Sequence, residues 1–309
     1  MNPLDNVNMK RFAVSAGLLL ALLAATLPAF AGTPLDKTVA ATANGHVQVS
    51  SVAGSIKVTA WNRNEIHIGG TLSRDAERLA VEKTGTGVSI QVVLPQHTSG
   101  NMEGSHLIIQ LPAASQLEVH TVSADIDASG LDGPVRLESV SGNVALVSKS
   151  ANIYANSISG DVGVTGSAPN ATIDAHSISG KVGIEKVTGS LRAGTTSGDM
   201  QLTGENRLQG AKLDTTSGDI RFAAALGAGG DYEFHAVSGN VALSLPAVPS
   251  ATFDVSSFSG GIDTNFGPKP RRTSEFTPGK EWHYQSGSGK ADIRIRTLSG
   301  DIRIDATAH

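Results

Sequence analysis

One eight-residue phrase returns throughout the second half of this chain, and its spacing limits the folds open to it more than any other feature. It reads Ser139-Val-Ser-Gly-Asn-Val-Ala-Leu146, then Ser157-Ile-Ser-Gly-Asp-Val-Gly-Val164, Ser177-Ile-Ser-Gly-Lys-Val-Gly-Ile184 and Thr195-Thr-Ser-Gly-Asp-Met-Gln-Leu202. Variants follow around Gly218, Gly239, Gly260 and Gly300. The separations of the eight glycines, from Gly142 through Gly160, Gly180, Gly198 and onward, are 18, 20, 18, 20, 21, 21 and 40 residues. A period of this length is the mark of a solenoid, in which each repeat is too small to bury a face alone.

Counting each repeat Gly as zero, apolar or small residues fall at −7, −5, −2, +2 and +4, as in Ile153, Ala155, Ile158, Val162 and Val164. Period-2 alternation on both sides of the glycine predicts two short strands per coil, with one face of each inward. The slip between −5 and −2 predicts a bend there, and the Ser and Thr at −3 and −1 then form an outward hydroxyl column. Glycine is expected at the corner because a side chain would obstruct the next coil or a positive φ angle. The residue after it is Asn143, Asp161, Asp199, Asp219, Asn240 or Asp301, types that hydrogen-bond turn backbone. The fold expected is therefore all-β, a parallel β-solenoid (β-helix-like) of 18–21-residue coils. The general preference for right-handed crossovers favours right-handed coiling, while the repeat itself does not fix the hand.

Composition agrees with a thin core. The chain has 35 Gly, 4% aromatic residues and no Cys, so packing and backbone hydrogen bonds hold it together without disulfides. Residues 1–31 read as a removable export signal: Met9-Lys10-Arg11, an apolar run from Phe12 to Leu27, then Ala29-Phe30-Ala31 as the small-residue cleavage site. Removing Asp5, Lys10 and Arg11 from 24 Lys+Arg and 28 Asp+Glu leaves 22 against 27, a net charge of −5. That mild acidity argues against a nucleic-acid partner. No transmembrane span is expected once the signal is gone. Residues 32–121 alternate in short strands such as His46–Val49 and Leu107–Leu111 and are expected to form a strand-rich N-terminal cap. Residues 122–309 then form the solenoid, with an irregular insertion at 266–290.

These residues resemble a known group, the bacterial family of β-strand-repeat putative adhesins, a domain family of unknown function. The resemblance runs from Asn44-Gly-His-Val-Gln-Val49 through Leu107-Ile-Ile-Gln-Leu-Pro112 to Thr297-Leu-Ser-Gly-Asp-Ile-Arg-Ile304. It implies a β-solenoid on or outside the cell envelope, with adhesion proposed and no agreed catalytic residues. The chain departs from the repeat at Ala124, where Gly is expected, at Lys181 and Gly261, where Asp or Asn is expected, and across the 40 residues before Gly300.

Each chemistry these residues offer has a structural rival. The Asp column offers oxygens to Ca²⁺, but the Gly-Gly-x-Gly-x-Asp nonapeptide of calcium-binding β-rolls is missing, and Lys181 interrupts the column. Turn capping is the better account, with Lys181 relieving charge. A hydroxyl column could face ice or a sugar polymer, yet hydroxyls at turns generally bond local backbone. His176 and His235 stand singly in strands, without metal-ligand spacing. Gly287-Ser-Gly-Lys290 fails as a phosphate loop, since Tyr284 replaces the first glycine and Ala291 the final Ser/Thr. No cofactor or metal is expected.

The segment Phe266–Lys290 is the exception to this uniformity. Lys269, Arg271, Arg272, Lys280 and Lys290 outweigh Glu275 and Glu281, and Trp282, His283 and Tyr284 lie among them. The structural reading is a hairpin folded over the solenoid end, and the functional one is a ligand patch of Arg271, Arg272, Lys280, Trp282, His283 and Tyr284. The expected function is a non-enzymatic, exported binding or scaffold protein of adhesin type, periplasmic or at the cell surface, its partner an envelope glycan or a surface protein. The alternatives are a carbohydrate-active enzyme, lyase or hydrolase, and a periplasmic regulatory partner in envelope stress.

Overall fold

Each coil leaves two apolar strand faces unsatisfied, and the chain buries them by stacking coils in parallel register. The computed structural model describes residues 32–85, 87–95, 103–276 and 278–307, of which none is helical. The expected signal, residues 1–31, lies outside the described residues, and Ala31–His309 forms one compact unit by itself. The first strand of a typical coil, Asn152–Ser157, pairs in parallel with Val135–Ser139 on one side and Ala171–Ser177 on the other. Its second strand, Val162–Thr165, pairs likewise with Val144–Ser148 and Val182–Glu185. Two walls result, joined at each level by the Ser-Gly corner. Like meets like within the columns, Ile153 with Ile173, Ala155 with Ala175 and Val162 with Val182.

Ile153, Ala155, Val162 and Val164 are all at most 3% exposed. Each buried Val or Ile contributes about 1.5–3 kcal/mol, and the columns fuse these contributions into one lengthwise core. The expected inward residue at −2 is, however, on the outside, and the hydroxyl at −3 is buried. Ile158, Ile178 and Val237 are more than 40% exposed, whereas Ser139, Ser157 and Ser177 are at most 4% exposed. The strand therefore keeps its alternation through −7, −5 and −3, and the bend falls after −3. The hydroxyl goes inside because two backbone groups there need it: Ser157 Oγ accepts from its own Gly160 N (3.0 Å) and donates to Gly142 O of the preceding coil (2.9 Å). Only the serines at −1 remain outward.

The corner glycines serve close approach. None of the eight has positive φ, but a Cβ on Gly160, Gly180 or Gly198 would collide with the carbonyl oxygen of the corner glycine one coil before. At Ala124 the residue in register is Gly54, whose φ is +108°, and the strands His46–Trp61 and Gln116–Leu131 run through their corner without a break.

The Asp and Asn side chains after the glycine bond the next coil's turn, not their own. Asn143 Oδ1 accepts from Asp161 N (2.9 Å), Asp161 Oδ1 from Lys181 N (2.8 Å), and Asp199 Oδ1 from Asp219 N (3.0 Å). The ladder continues from Asp219 to Asn240, Asn240 to Asp301 and Asp301 to Gly261. Gly261 ends it, which is why that position needs no acceptor. Lys181 breaks it, and among the described residues no carboxylate lies within salt-bridge distance of its ammonium, so the charge-relief reading finds no direct contact.

Spatial order departs from sequence order at both ends. The strand His46–Trp61 lies between Gly87–Val93 with Ser105–Pro112 on one side and Gln116–Leu131 on the other. The last coil, Ala291–Thr297 and Ile302–Ala306, lies between the coils ending in Leu245 and Thr264. The 40-residue gap before Gly300 is thus a detour in sequence, not an interruption of the stack. Parallel stacking already begins at His46, so pairing does not change at the expected boundary between 121 and 122.

Antiparallel strands cover the ends. Arg78–Thr84 pairs with Gly87–Val93, and Thr33–Ala40 with Glu65–Leu72, which itself pairs with Ser105–Pro112. At the other end Arg271–Arg272 and Lys280–Gln285 extend from Ala251–Ser257. Short strands bearing Lys, Arg and Pro at an edge discourage pairing with other chains.

Candidate binding surface

The six residues of the expected ligand patch separate into an interior and an exterior set. Trp282 is 2% exposed, donates its indole N–H to Pro268 O (2.7 Å), and packs with Phe253, Phe266 and Tyr284 at centroid distances of 5.1, 5.7 and 5.4 Å. Gly267, with φ +74°, lets the chain pass against the Trp282 and Tyr284 rings, where a Cβ would crowd both. This cluster closes the end of the core, so Trp282 has no surface to offer a ligand and Tyr284 is half-buried. Arg271 and Arg272 are exposed, and among the described residues neither has an ion-pair partner. His283 lies between Asp254 Oδ1 (3.3 Å) and Glu281 Oε2 (3.7 Å), and Lys280 is half-buried at the hairpin's base.

A more extensive surface lies on the outside of the wall built from first strands. In-register stacking puts the outward residues of successive coils about 4.8 Å apart in rows, and charges distant in sequence become neighbours. Glu118 accepts from His46 Nε2 (3.1 Å) and His120 Nε2 (2.8 Å), while His120 Nδ1 meets Glu138 Oε2 (2.8 Å). Arg136 pairs with Glu138 and stacks over Tyr154, 4.0 Å from its centroid. The hydrogen bond from His120 holds the Glu118 carboxyl below its usual range, against a smaller opposing effect of burial.

Farther along the wall, Asp174, Arg192, Lys212, Asp231 and Glu233 line an open cleft of about 420 Å³. Lys212 Nζ lies 3.1 Å from Glu233 Oε2, and Arg294 reaches Asp231 Oδ1 (3.0 Å) and Glu233 Oε1 (3.2 Å). Hydrogen bonding from Lys212 holds Glu233 below the usual carboxylate range. Arg192 is exposed, and no ion-pair partner for it is found among the described residues. His176 sits against Asp174 in the same face, and His235 is half-buried beside Glu233's row. The signal for this surface in the sequence is charge at the outward strand positions −6 and −4, which acquires meaning only once the stacking order is known.

A third feature runs along the corners. Val122, Val140, Ile158, Ile178, Val237, Leu298 and Phe258 are each 41–58% exposed and occupy the same position in their coils. The serine at −1 donates its backbone N–H to the carbonyl of this residue one coil earlier, as in Ser159 N to Val140 O (2.9 Å) and Ser299 N to Val237 O (2.8 Å). The apolar side chains therefore form one column in spatial order, with Thr196 and Thr216 at its middle.

Of the carboxylates of the wall, Glu118 and Glu233 are held below the usual carboxylate range by hydrogen bonds from His120 and Lys212. Among the described residues no group of three or more His, Cys, Asp or Glu is arranged to hold a metal ion, and no helix is long and apolar enough to cross a membrane.

Comparison with known proteins places these features in context. Residues 44–305 match the family described as Toastrack DUF4097. A putative adhesin from Bacteroides fragilis NCTC 9343 is similar at 11% identity over 88% of this chain and 96% of that one, with a TM-score of 0.44. A putative adhesin from Parabacteroides merdae ATCC 43184 gives 12% identity, 90% and 98% coverage and a TM-score of 0.38. A putative cell adhesion protein from Clostridium sporogenes ATCC 15579 gives 11% identity, 89% and 100% coverage and a TM-score of 0.24. The comparison with curated proteins gave no match.

Proposed function

The chain belongs to the Toastrack DUF4097 family, and from that premise we propose that it is a non-enzymatic, exported binding or scaffold protein of adhesin type. The observation that carries this reading is the outer face of the first-strand wall. There polar and charged side chains stand in fixed rows on a rigid two-walled core, with an open cleft between Asp174 and Glu233. A rigid, repetitive polar face suits a ligand that is itself extended and polar, because each added contact needs no further ordering of the protein. An envelope glycan or the polar surface of another envelope protein meets that description. The expected export signal supports delivery to the periplasm or cell surface.

The exposed cations Arg271 and Arg272, with Lys280 and His283 beside them, form a second patch on the same molecule. Arg271 and Arg272, for which no ion-pair partner is found among the described residues, favour an anionic ligand at that end.

Binding of the protein, produced from Gly32, to envelope glycans and whole cells tests this reading. It is measured beside Arg192→Glu/Lys212→Glu and Arg271→Glu/Arg272→Glu variants. Saturable binding weakened at least about tenfold in the first variant places recognition on the wall, since each lost charged contact is worth about 1.5–3 kcal/mol. Loss only in the second places it on the hairpin. Release of reducing or unsaturated sugar ends, abolished by an Asp174 or Glu233 substitution, would sink the non-enzymatic reading.

A further inference from the structure

We propose that the apolar corner column is a self-association surface, on which a second copy of this chain docks side by side and antiparallel. The column carries most of the exposed large hydrophobic side chains of the described residues. These residues are not leftovers of the core. The strand alternation places the hydroxyl at −3 inside, so a polar residue at −2 would cost nothing, yet Val, Ile, Leu or Phe stands there in seven coils. From Val122 to Phe258 the column spans eight coil spacings, about 38 Å. An apolar strip of that length, interrupted at Thr196 and Thr216 and on the order of 400 Å², matches the largest exposed patches of monomeric proteins, which are often functional.

Three properties of the column select a second copy as its occupant. The side chains sit at the pitch of the coils, and another corner column has the same pitch and length. The column and the serine row beside it, Ser141, Ser159, Ser179 and Ser197 among them, carry no charge, and the nearest ions are the Asp ladder beyond the buried glycines, so contact through these two rows desolvates no ion of their own. Finally, side-chain size is self-complementary under a two-fold axis through the level of Thr196. Antiparallel apposition sets small Val122 and Val140 at one end against large Phe258 and Leu298 of the other copy, Ile158 against Val237, and Ile178 against Thr216. Thr196 then meets its own counterpart, as an isologous contact requires. With the serine row included, the contact is roughly 600–800 Å² per copy, at the lower edge of stable interfaces, so association is expected in the micromolar range.

The proposal does not depend on what ligand the wall binds. Because the chain has no Cys, single-cysteine variants report the geometry directly. With a short bismaleimide cross-linker, T196C is expected to form dimers alone, whereas V140C and L298C form them only when mixed. Sedimentation of the parent protein should show a concentration-dependent monomer–dimer equilibrium. The Ile158→Asp/Leu298→Asp variant should remain monomeric at least tenfold higher in concentration, with an unchanged melting temperature because both sites are exposed. Cross-linking of V140C with itself would overturn the antiparallel arrangement. A protein that stays monomeric at all concentrations, or a dimer indifferent to the Asp substitutions, would overturn the proposal as a whole.

Discussion

At the corners with Ser or Thr three residues before the glycine, which are all but the Gly239 corner with its Ala236, a glycine and a hydroxyl divide one packing problem between them. The glycine lets the neighbouring carbonyl approach to where a Cβ would be, and the hydroxyl bridges that carbonyl to the glycine's own N–H. Gly198→Val is therefore expected to cost about 3 kcal/mol or more, as overpacking against backbone that cannot shift. Gly183→Val is the control: it lies in an outward strand position with open space around it, and its effect should stay within about 0.5 kcal/mol. Urea unfolding of both variants checks the contrast. Lys181 is the inverse case. It supplies no acceptor to the ladder, so Lys181→Asn should cap Asp199 N and raise stability by about 0.5–1 kcal/mol, read from the same transitions.

At the scale of elements, the strands differ mainly in what they carry outward. The strands His46–Trp61, Gln116–Leu131 and Val135–Ser139 bring His46, Glu118, His120, Glu138 and Arg136 into one chain of contacts. Since the folded state holds the Glu118 carboxyl below its ordinary range, chiefly through the His120 hydrogen bond, it binds protons less readily than the unfolded chain. This contribution to stability is fully present above the ordinary carboxylate range and is lost as pH falls through the lower folded value. The acid limb of a stability–pH profile should accordingly be shallower in Glu118→Gln than in the parent. An unchanged slope would mean that the contacts of Glu118 do not persist in solution.

For the whole molecule, interleaving decides which parts are outermost. In a solenoid stacked in sequence order the last coil has one free side and frays. Here residues 291–306 are paired on both sides, to Ile220–Ala236 and Val241–Leu245 on one and to Ala251–Ser257 and Ile262–Thr264 on the other. Backbone amides of Ile293, Ile295, Ile302 and Ile304 should then exchange with solvent as slowly as those of mid-stack Ile173 and Val182, while the hairpin from Arg271 to Gln285 exchanges faster. Hydrogen exchange resolved by residue tests this, and a gradient of weakening protection toward the C-terminus would contradict it.

The sequence by itself determined the coil: two short strands, a glycine corner, an Asx residue after it and an apolar interior. All of these follow from alternation and single-residue stereochemistry within about twenty residues, the span of one period. It did not determine which of the residues at −3 and −2 faces inward, because hydrophobicity alone favoured the aliphatic side chain. The carbonyl that draws the hydroxyl inside belongs to another coil. Nor could it order the coils at the ends or assemble the charged wall. Glu118 meets His46 across 72 residues, and Arg294 meets Asp231 across 63. The tertiary structure decided these points because each depends on which coil lies next in space, and at both ends that neighbour is not the next coil in the chain.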